Sequence, residues 1–186
     1  MQRTAEMMNG LITDLLDLAK IEADRFELHT RLEQLHELVD EALIVLGPLA
    51  LPKKIELVHE RIDSCAAQVD RKRMFQVLSN LIGNAVQHTP EGGKIAVETR
   101  RTDDEQWVAI SDMGPGIPQE VIKHVFDRYW QSPAASRTDG SGLGLYITKG
   151  IVVAYGSRIW VERATHGGAR FTFAIPCTDS IAPPRE

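Results

Sequence analysis

The sequence of 186 residues contains no apolar run close to the ~20 residues that a membrane-spanning helix needs, and its N-terminus lacks a signal-peptide pattern. It has only two cysteines, Cys65 and Cys177, and neither belongs to a CxxC motif or a Cys/His cluster. Neither a zinc site nor a disulfide framework is indicated, so both are expected to be inert thiols. These absences predict a soluble, cytoplasmic chain, although a full-length protein containing it could be membrane-anchored.

Basic residues do not exceed acidic ones, since 21 Lys and Arg stand against 26 Asp and Glu, for a formal net charge of -5. This balance argues against a broad surface for nucleic acid or anionic membranes. The phosphate-binding pattern GxxxxGK[ST] is absent. What the sequence does have is 43% hydrophobic residues, enough for one domain with its own core and an appendage.

Residues 71–89 predict a helix that has both a core face and a polar stripe. The core face comprises Met74, Phe75, Leu78, Leu81, Ile82, Ala85 and Val86. The opposite arc carries Gln76, Asn80, Asn84, Gln87 and His88, with Gly83 beside them. Asparagine and glycine are poor helix formers, so this stripe indicates a role other than helicity, with a solvated face as the alternative.

Hydrophobic periodicity divides the rest of the chain into a helical appendage and a domain with a mixed sheet. Residues 4–24 predict an amphipathic helix, whose partner is a preceding helix, the same segment of another subunit or its own domain. Strands are predicted at 26–33, 55–59, 66–70, 94–100, 106–111, 158–163 and 170–176. Further helices are predicted at 34–50, stopped by Gly47, Pro48 and Pro52, at 118–124 and at 143–154. The predicted divisions are 1–26 (appendage), 27–178 (domain) and 179–186 (tail), with a polar, mobile loop at 131–141.

Two glycine-bearing segments are candidates for a nucleotide site. Asp112 ends an apolar strand, and Gly114 and Gly116 follow it, so a ligand can approach closely. Its carboxylate could accept a hydrogen bond from an exocyclic amine such as that of adenine, or could make only local capping bonds. Residues 140–144 (GSGLG) open a helix, whose free N–H groups and positive dipole end favour a phosphate, with a flexible turn as the alternative.

Four ordered segments resemble the N, G1, F and G2 boxes of bacterial sensor histidine kinases: 80–85 (NLIGNA), 112–117 (DMGPGI), 126–131 (FDRYWQ) and 140–146 (GSGLGLY). The resemblance covers residues 7–176, and the N-terminal helix is similar to the second helix of the family's dimerisation and phosphotransfer hairpin. It implies a two-layer α/β sandwich with a mixed, largely antiparallel sheet, shared with gyrase-type ATPases and Hsp90-type chaperones. It also implies transfer of the ATP γ-phosphoryl to a histidine, for relay to a response-regulator receiver domain.

The resemblance also implies roles for individual residues. Asn84 would coordinate Mg²⁺ with support from Asn80, and Asp112 would bind the adenine amine. Phosphates would lie against Gly140, Gly142 and Gly144, beneath a lid at about 127–141 that Phe126 anchors. The other implied nucleotide-binding residues are Gln87, His88, Gly114, Gly116, Ile117, Ser141, Leu143 and Leu145. Because Gln87 and Gln131 stand where the family often has Lys and Arg, Arg128 is assigned a catalytic role beside Asn80 and Asn84, with Lys149 as the alternative cation.

The family's phosphoacceptor box, a histidine followed by an acidic residue on the first hairpin helix, is absent, so the chain is expected to start after it. His36-Glu37 looks similar to the box but lies in a helix expected to belong to the ATP-binding domain. The expected partners are ATP, the phosphoacceptor helix, a receiver domain and, through the N-terminal helix, a second copy. One alternative is a nucleotide-binding regulatory module that transfers no phosphate. A gyrase-like or chaperone-like ATPase is disfavoured because Gln76 stands where the catalytic acid would be.

Overall fold

The computed structural model describes residues 2–61, 63–131 and 141–178. The helices are α1 (Gln2–Glu22), α2 (Leu35–Ala50), α3 (Arg71–His88) and α4 (Gly144–Ala154), with 3₁₀ turns at Leu51–Lys53 and Ile122–His124. The strands are β1 (Arg31–Gln34), β2 (Glu56–Arg61), β3 (Ala66–Val69), β4 (Lys94–Arg101), β5 (Glu105–Ser111), β6 (Ile159–Arg163) and β7 (Ala169–Pro176). This order confirms an α/β domain preceded by a helix.

Five strands form the main sheet in the order β2-β4-β5-β7-β6. β2 is parallel to β4, and the remaining three pairs are antiparallel, which confirms the mixed, largely antiparallel sheet. β1 pairs antiparallel with β3 in a separate two-stranded sheet. The strand predicted at 26–33 is therefore too early, because only Arg31–Gln34 lie opposite a partner strand.

Helix α3 provides the centre of the core, as its period predicts. Met74, Leu78, Leu81 and Ile82 are fully buried, while Phe75 is only partly buried. The helix begins after Asp70, whose carboxylate accepts a hydrogen bond from the Arg73 N–H at 3.1 Å. At its other end, the Lys53 ammonium donates to the carbonyl oxygens of residues 86, 87 and 89, where a cation complements the helix dipole.

Of two predicted helices, the one at 34–50 is confirmed within one residue and the one at 118–124 is wrong. Helix α2 continues through Pro48 to Ala50, and only then passes into the 3₁₀ turn. Pro48 has no N–H to donate to the carbonyl of Ile44, four residues earlier. Both residues are exposed, so water can replace that hydrogen bond. The helix predicted from Pro118 is reduced to turns and the short 3₁₀ segment at Ile122–His124.

The prediction of inert thiols is also wrong, because Cys65 and Cys177 form a disulfide although 112 residues separate them. Cys65 precedes β3 and Cys177 follows β7, and the fold brings both to the end of the main sheet where β5 begins. There the Gln106 side-chain oxygen accepts from the Cys65 N–H at 2.7 Å, and the Asp104 carbonyl accepts from the Cys177 N–H at 2.8 Å. Such a non-local pairing leaves no spacing signal in the sequence.

The described side chains of helix α1, at residues 10–22, pack on its own domain along one side. Asp17 is 2% exposed and accepts hydrogen bonds from Arg73 at 2.5 Å and from Gln76 at 2.9 Å. Leu18 is buried, and a Cβ placed on Gly150 would lie 2.5 Å from the Ile21 Cδ1. An exposed apolar stripe remains for another helix, comprising Leu11, Ile12, Leu15 and Leu16. In the described part of the chain, no helix combines the length and apolar character of a membrane span.

Candidate functional site

A cleft of about 380 Å³ opens between α3, the segment after β5 and the start of α4. Most of the residues predicted for a nucleotide site line it: Asn80, Asn84, Gln87, His88, Asp112, Gly116, Ile117, Ser141, Gly142, Gly144 and Leu145. The lining is completed by Asp14, Pro115, Pro118, Val121, Trp130, Gln131, Ala169 and Phe171. Three segments that are distant in the sequence therefore converge on one cavity.

Three predicted residues lie behind this lining. Gly114 donates its N–H to the Asp112 Oδ1 at 2.8 Å, and a Cβ there would come within 2.9 Å of that oxygen. Phe126 is 9% exposed and packs edge-on against the cleft residue Phe171, with 6.1 Å between ring centroids. Leu143 is buried immediately before α4. Gly140 and most of the predicted lid, residues 132–140, lie outside the described residues, so the lid stays a prediction.

The Asp112 carboxylate is fixed at one end of the cleft. It is 7% exposed, and its Oδ1 accepts hydrogen bonds from the N–H groups of Gly114 at 2.8 Å and Ala169 at 3.1 Å. Burial raises the pKa of Asp112 above its usual value, against the lowering effect of these two hydrogen bonds and of nearby His88. Since the described hydrogen bonds engage Oδ1, Oδ2 is left to accept a donor in the cleft.

Gly168 is essential to the position of the Asp112 carboxylate, although the sequence analysis predicted only that Gly168 belongs to a turn. A Cβ at Gly168 would lie 2.0 Å from the Asp112 carbonyl oxygen and 2.4 Å from its Oδ1. The backbone of Asp112 also donates to the Ala169 carbonyl at 2.9 Å. The available sequence signal was the Gly-Gly pair just before β7, which can be connected with Asp112 only once the pairing of β5 with β7 is known.

The two asparagines of α3 behave differently. The Asn80 amide donates to the Gly144 carbonyl at 3.1 Å and to the Thr148 Oγ1 at 3.2 Å, so it joins α3 to α4. Among the described residues, the Asn84 side chain has no hydrogen-bond partner. Asn80 therefore has a clear structural task, whereas the Asn84 amide is available to a ligand.

The start of α4 meets the cleft through backbone that only glycine permits. Gly142 has φ +69°, and a Cβ there would lie 2.9 Å from the Tyr129 carbonyl carbon. Gly144 and Gly142 both line the cleft. The unpaired N–H groups of the first turn of α4 are thus close to the cavity, which is the arrangement that favours an anion.

The cation assigned to catalysis is elsewhere in this structure. Arg128 does not line the cleft; it donates to Glu22 of α1 at 2.5 Å and to the Tyr129 hydroxyl at 2.8 Å. The Tyr129 hydrogen bond and the Glu22 charge raise the pKa of Arg128. Lys149 is exposed and also lies away from the lining, which contains no lysine or arginine among the described residues.

Helix α1 contributes an acidic residue that the sequence did not place in the site. Asp14 lines the cleft together with Asn80 and Asn84. Burial, and then the charge of Asp17 one turn along the helix, raise the pKa of Asp14. Its position depends on how α1 packs against the domain, which periodicity alone does not determine.

The oxygen donors near the polar end of the cleft suit a hard cation that is held mainly by a ligand. In the described ranges, no group of three or more His, Cys, Asp and Glu side chains could hold a metal ion. The Asn84 amide has no partner in the described part of the chain, and amide oxygens are accepted ligands of Mg²⁺, which commonly takes one or two protein ligands together with substrate phosphates. The residues present therefore fit Mg²⁺ delivered with a nucleotide.

Residues 69–179 match the family described as histidine kinase-, DNA gyrase B-, and HSP90-like ATPase. The signal transduction histidine-protein kinase AfsQ2 of Streptomyces coelicolor is 34% identical over 91% of this chain and 30% of its own length. The adaptive-response sensory kinase SasA of Synechococcus sp. (strain CC9902) is 38% identical over 94% of this chain and 46% of its own. The chain thus spans less than half the length of these curated relatives.

Two solved structures have the same fold. Full-length ShkA in complex with AMPPNP superposes with a TM-score of 0.83, at 27% identity, over 98% of this chain and 38% of that one. The histidine kinase ThkA in complex with the response regulator protein TrrA gives a TM-score of 0.73, at 27% identity, over 94% of this chain and 50% of that one.

Proposed function

Since this chain belongs to the histidine kinase-, DNA gyrase B- and HSP90-like ATPase family and has the ATP-binding catalytic domain of a histidine kinase, we propose that it transfers the γ-phosphoryl of Mg·ATP to a histidine of a phosphoacceptor helix. The phosphoryl then passes to the receiver domain of a response regulator. The observation that carries the proposal is the Asp112 carboxylate, fixed by two backbone N–H groups with Oδ2 open to a cleft that also contains Asn84 and the start of α4.

At the Asp112 end, the protein binds the base. Oδ2 accepts a hydrogen bond from the adenine amine, and the apolar side chains of Ile117 and Phe171 contact the ring. Gly116, at φ +75°, keeps the backbone narrow where the base enters. A guanine presents a carbonyl where adenine has its amine, so it would set two acceptors against each other, and the site selects adenine.

At the other end, the protein holds and orients the phosphates. The N–H groups of Gly142 and of the first turn of α4 donate to phosphate oxygens, while Asn84 supplies an amide oxygen to Mg²⁺. When bound, Mg²⁺ neutralises phosphate charge and stabilises the charge that develops during transfer. Arg128 would have to leave Glu22 before it could contact a phosphate, so its catalytic role requires a rearrangement.

The acceptor histidine comes from a separate helix. His36 is held by a hydrogen bond to the Ser64 hydroxyl at 2.6 Å and does not line the cleft. The ThkA complex with TrrA supports a response regulator as the second partner, and the exposed stripe of α1 supports pairing with a second copy or a preceding helix. We place the domain in the cytoplasm, where ATP is abundant, although a buried disulfide is unusual in that reducing compartment.

A regulatory module that binds nucleotide without transferring phosphate remains the second candidate. The observation that favours it is the lack of Lys and Arg in the described lining. Hydrolysis of the gyrase or chaperone type is less compatible with the site, because Gln76 is an amide and is occupied by hydrogen bonds with Arg73 and Asp17.

Calorimetric titration with ATP and Mg²⁺ tests the site. Asp112→Ala leaves the amine without an acceptor, and the affinity should fall by about 1 to 3 kcal/mol. Asn84→Ala should remove the dependence on Mg²⁺ that comes from its amide oxygen. Asp103→Ala, in the exposed hairpin turn, is the control for loss of a carboxylate and should bind like wild type. Equal affinities in all four proteins, or a preference for GTP, would contradict the site assignment.

Radiolabelled ATP tests the transfer. Mixed with a partner that carries the phosphoacceptor helix, the wild-type chain should produce an acid-labile, base-stable label on that partner, because transfer needs an acceptor in line with the γ-phosphate. The His36→Gln variant should do the same. Normal ATP binding without label on the partner would favour the regulatory module, and label on the isolated wild type that disappears in His36→Gln would identify His36 as the acceptor.

A further inference from the structure

Helix α1 reaches the nucleotide cleft with one polar residue. Asp17, Leu18 and Ile21 hold the helix against α3 and α4 through the buried Arg73 ion pair, an apolar contact and the close approach to Gly150. Asp14 lies three residues before Asp17, on the same side of the helix, and lines the cleft. The docked position of α1 therefore decides whether a carboxylate is present there.

Asp14 lacks the partners that its neighbour has. Asp17 accepts from both Arg73 and Gln76, whereas no residue in the described part of the chain donates a hydrogen bond or forms an ion pair with Asp14. The Asp14 carboxylate is half-buried and close to the Asp17 carboxylate. Both conditions disfavour its charged form when no cation lies beside it. The Asn84 amide, also without a described partner, lines the same cavity.

A carboxylate in a polyphosphate site makes different contributions to nucleotide binding with and without a divalent cation. Against free nucleotide, the Asp14 carboxylate meets phosphates of its own sign and repels them. Against a nucleotide that carries Mg²⁺, it meets a cation that prefers carboxylate oxygens, directly or through bound water. The sign of its contribution thus depends on the metal.

We propose that Asp14 is a metal-nucleotide contact supplied by α1, so that Mg·nucleotide holds α1 on the catalytic domain whereas free nucleotide displaces it. The inference rests on the proposed function, because it presupposes ATP binding in the cleft. Binding free energies are reciprocal: if docked α1 strengthens the binding of Mg·nucleotide, bound Mg·nucleotide strengthens the docking by the same factor. The position of the helix on which a partner helix would pack is thereby coupled to the occupancy of the site.

Calorimetry with a nonhydrolysable ATP analogue, in excess Mg²⁺ and in EDTA, tests the sign. Asp14→Asn keeps the shape of the side chain and removes its charge; affinity should fall about tenfold with Mg²⁺ and rise about threefold in EDTA. The control is Asp24→Asn, which removes the same charge just after α1 at an exposed position with φ 54°, a conformation that asparagine accepts. It should match wild type in both conditions.

Backbone hydrogen exchange in α1 gives an independent readout. In wild type, exchange should slow with Mg·analogue and should not slow with the analogue in EDTA; in Asp14→Asn this difference should disappear. Affinities that move in the same direction in both conditions, or that do not change in Asp14→Asn, would overturn the assignment of Asp14 while leaving the ATP site intact. Failure of wild type to bind any nucleotide would overturn the proposed function and this inference together.

Discussion

Gly168→Ala is a severe test of how closely β7 packs against Asp112. The added Cβ would lie 2.0 Å from the Asp112 carbonyl oxygen, where contacts of about 3.5 Å are the norm, so the strand start must move by more than about 1 Å. That movement breaks or weakens the two hydrogen bonds that join Asp112 and Ala169, at 2.9 and 3.1 Å. Overpacking costs about 1–3 kcal/mol and each hydrogen bond about 1 kcal/mol, so unfolding free energy should fall by about 3–5 kcal/mol.

Urea denaturation measures this loss. Calorimetry without urea, at a temperature where the variant is folded, measures nucleotide affinity. The affinity should also fall, because the Asp112 Oδ1 loses a hydrogen-bond donor. Gly83→Ala is the matched control for stability. A Cβ there meets nothing within 4 Å, and alanine in a helix interior should stabilise the protein by about 1 kcal/mol. Equal stability of Gly168→Ala and wild type would refute the close packing, and a destabilised variant with unchanged affinity would separate Gly168 from the site.

Three further predictions concern other parts of the molecule. Replacing both Cys65 and Cys177 by serine should lower the unfolding free energy by about 4.8 kcal/mol, which is the chain-entropy value for a 112-residue loop. Nucleotide affinity should not change, and a changed affinity in calorimetry would contradict the placement of the disulfide at the end of the sheet away from the cleft. Because burial raises the pKa of Asp112, nucleotide affinity should begin to fall, as the pH is lowered, at a higher pH than with an ordinary aspartate. The contribution of Asp112 to the unfolding free energy should increase as pH falls through the raised pKa and should level off below 3.8. An Asp112→Asn variant should lack both responses. Arg73→Ala leaves Asp17 buried without its cation, which costs about 3 kcal/mol. Because release of α1 from the domain avoids this cost, hydrogen exchange should accelerate in α1 and stay slow in the main sheet. Slow exchange in α1 would show that other contacts hold the helix.

Local patterns were sufficient for most of the regular elements, but not for the bounds of β1 or for residues 118–124. The 3.6-residue period of α3 identified its buried face, and the alternating runs on either side of a short polar turn identified the β4–β5 hairpin. The glycine-bearing segments marked Asp112 and Gly142 as separate candidates, and the resemblance to sensor histidine kinases joined them in one proposed site; both line the cleft. The inferences from periodicity depend on residues close together in the chain.

What the sequence missed depends on residues that are far apart. The Cys65–Cys177 bond follows from the meeting of β3 and β7 at one end of the sheet, and the importance of Gly168 follows from the register of β5 and β7. Asp14 enters the cleft only because α1 packs on α3 and α4. Periodicity predicts which side of a helix is apolar but does not predict which neighbouring element packs against that side.

Strands β5 and β7 pair directly, and the backbone of Asp112 is joined to that of Ala169, although 57 residues separate the two. The chain between them carries most of the residues that line the cleft, and it includes helix α4 and the edge strand β6. The entropy of closing a loop grows only logarithmically, by about 0.6 kcal/mol for each doubling of length. A longer or shorter connection between β5 and α4 should therefore have little effect on the pairing of β5 with β7.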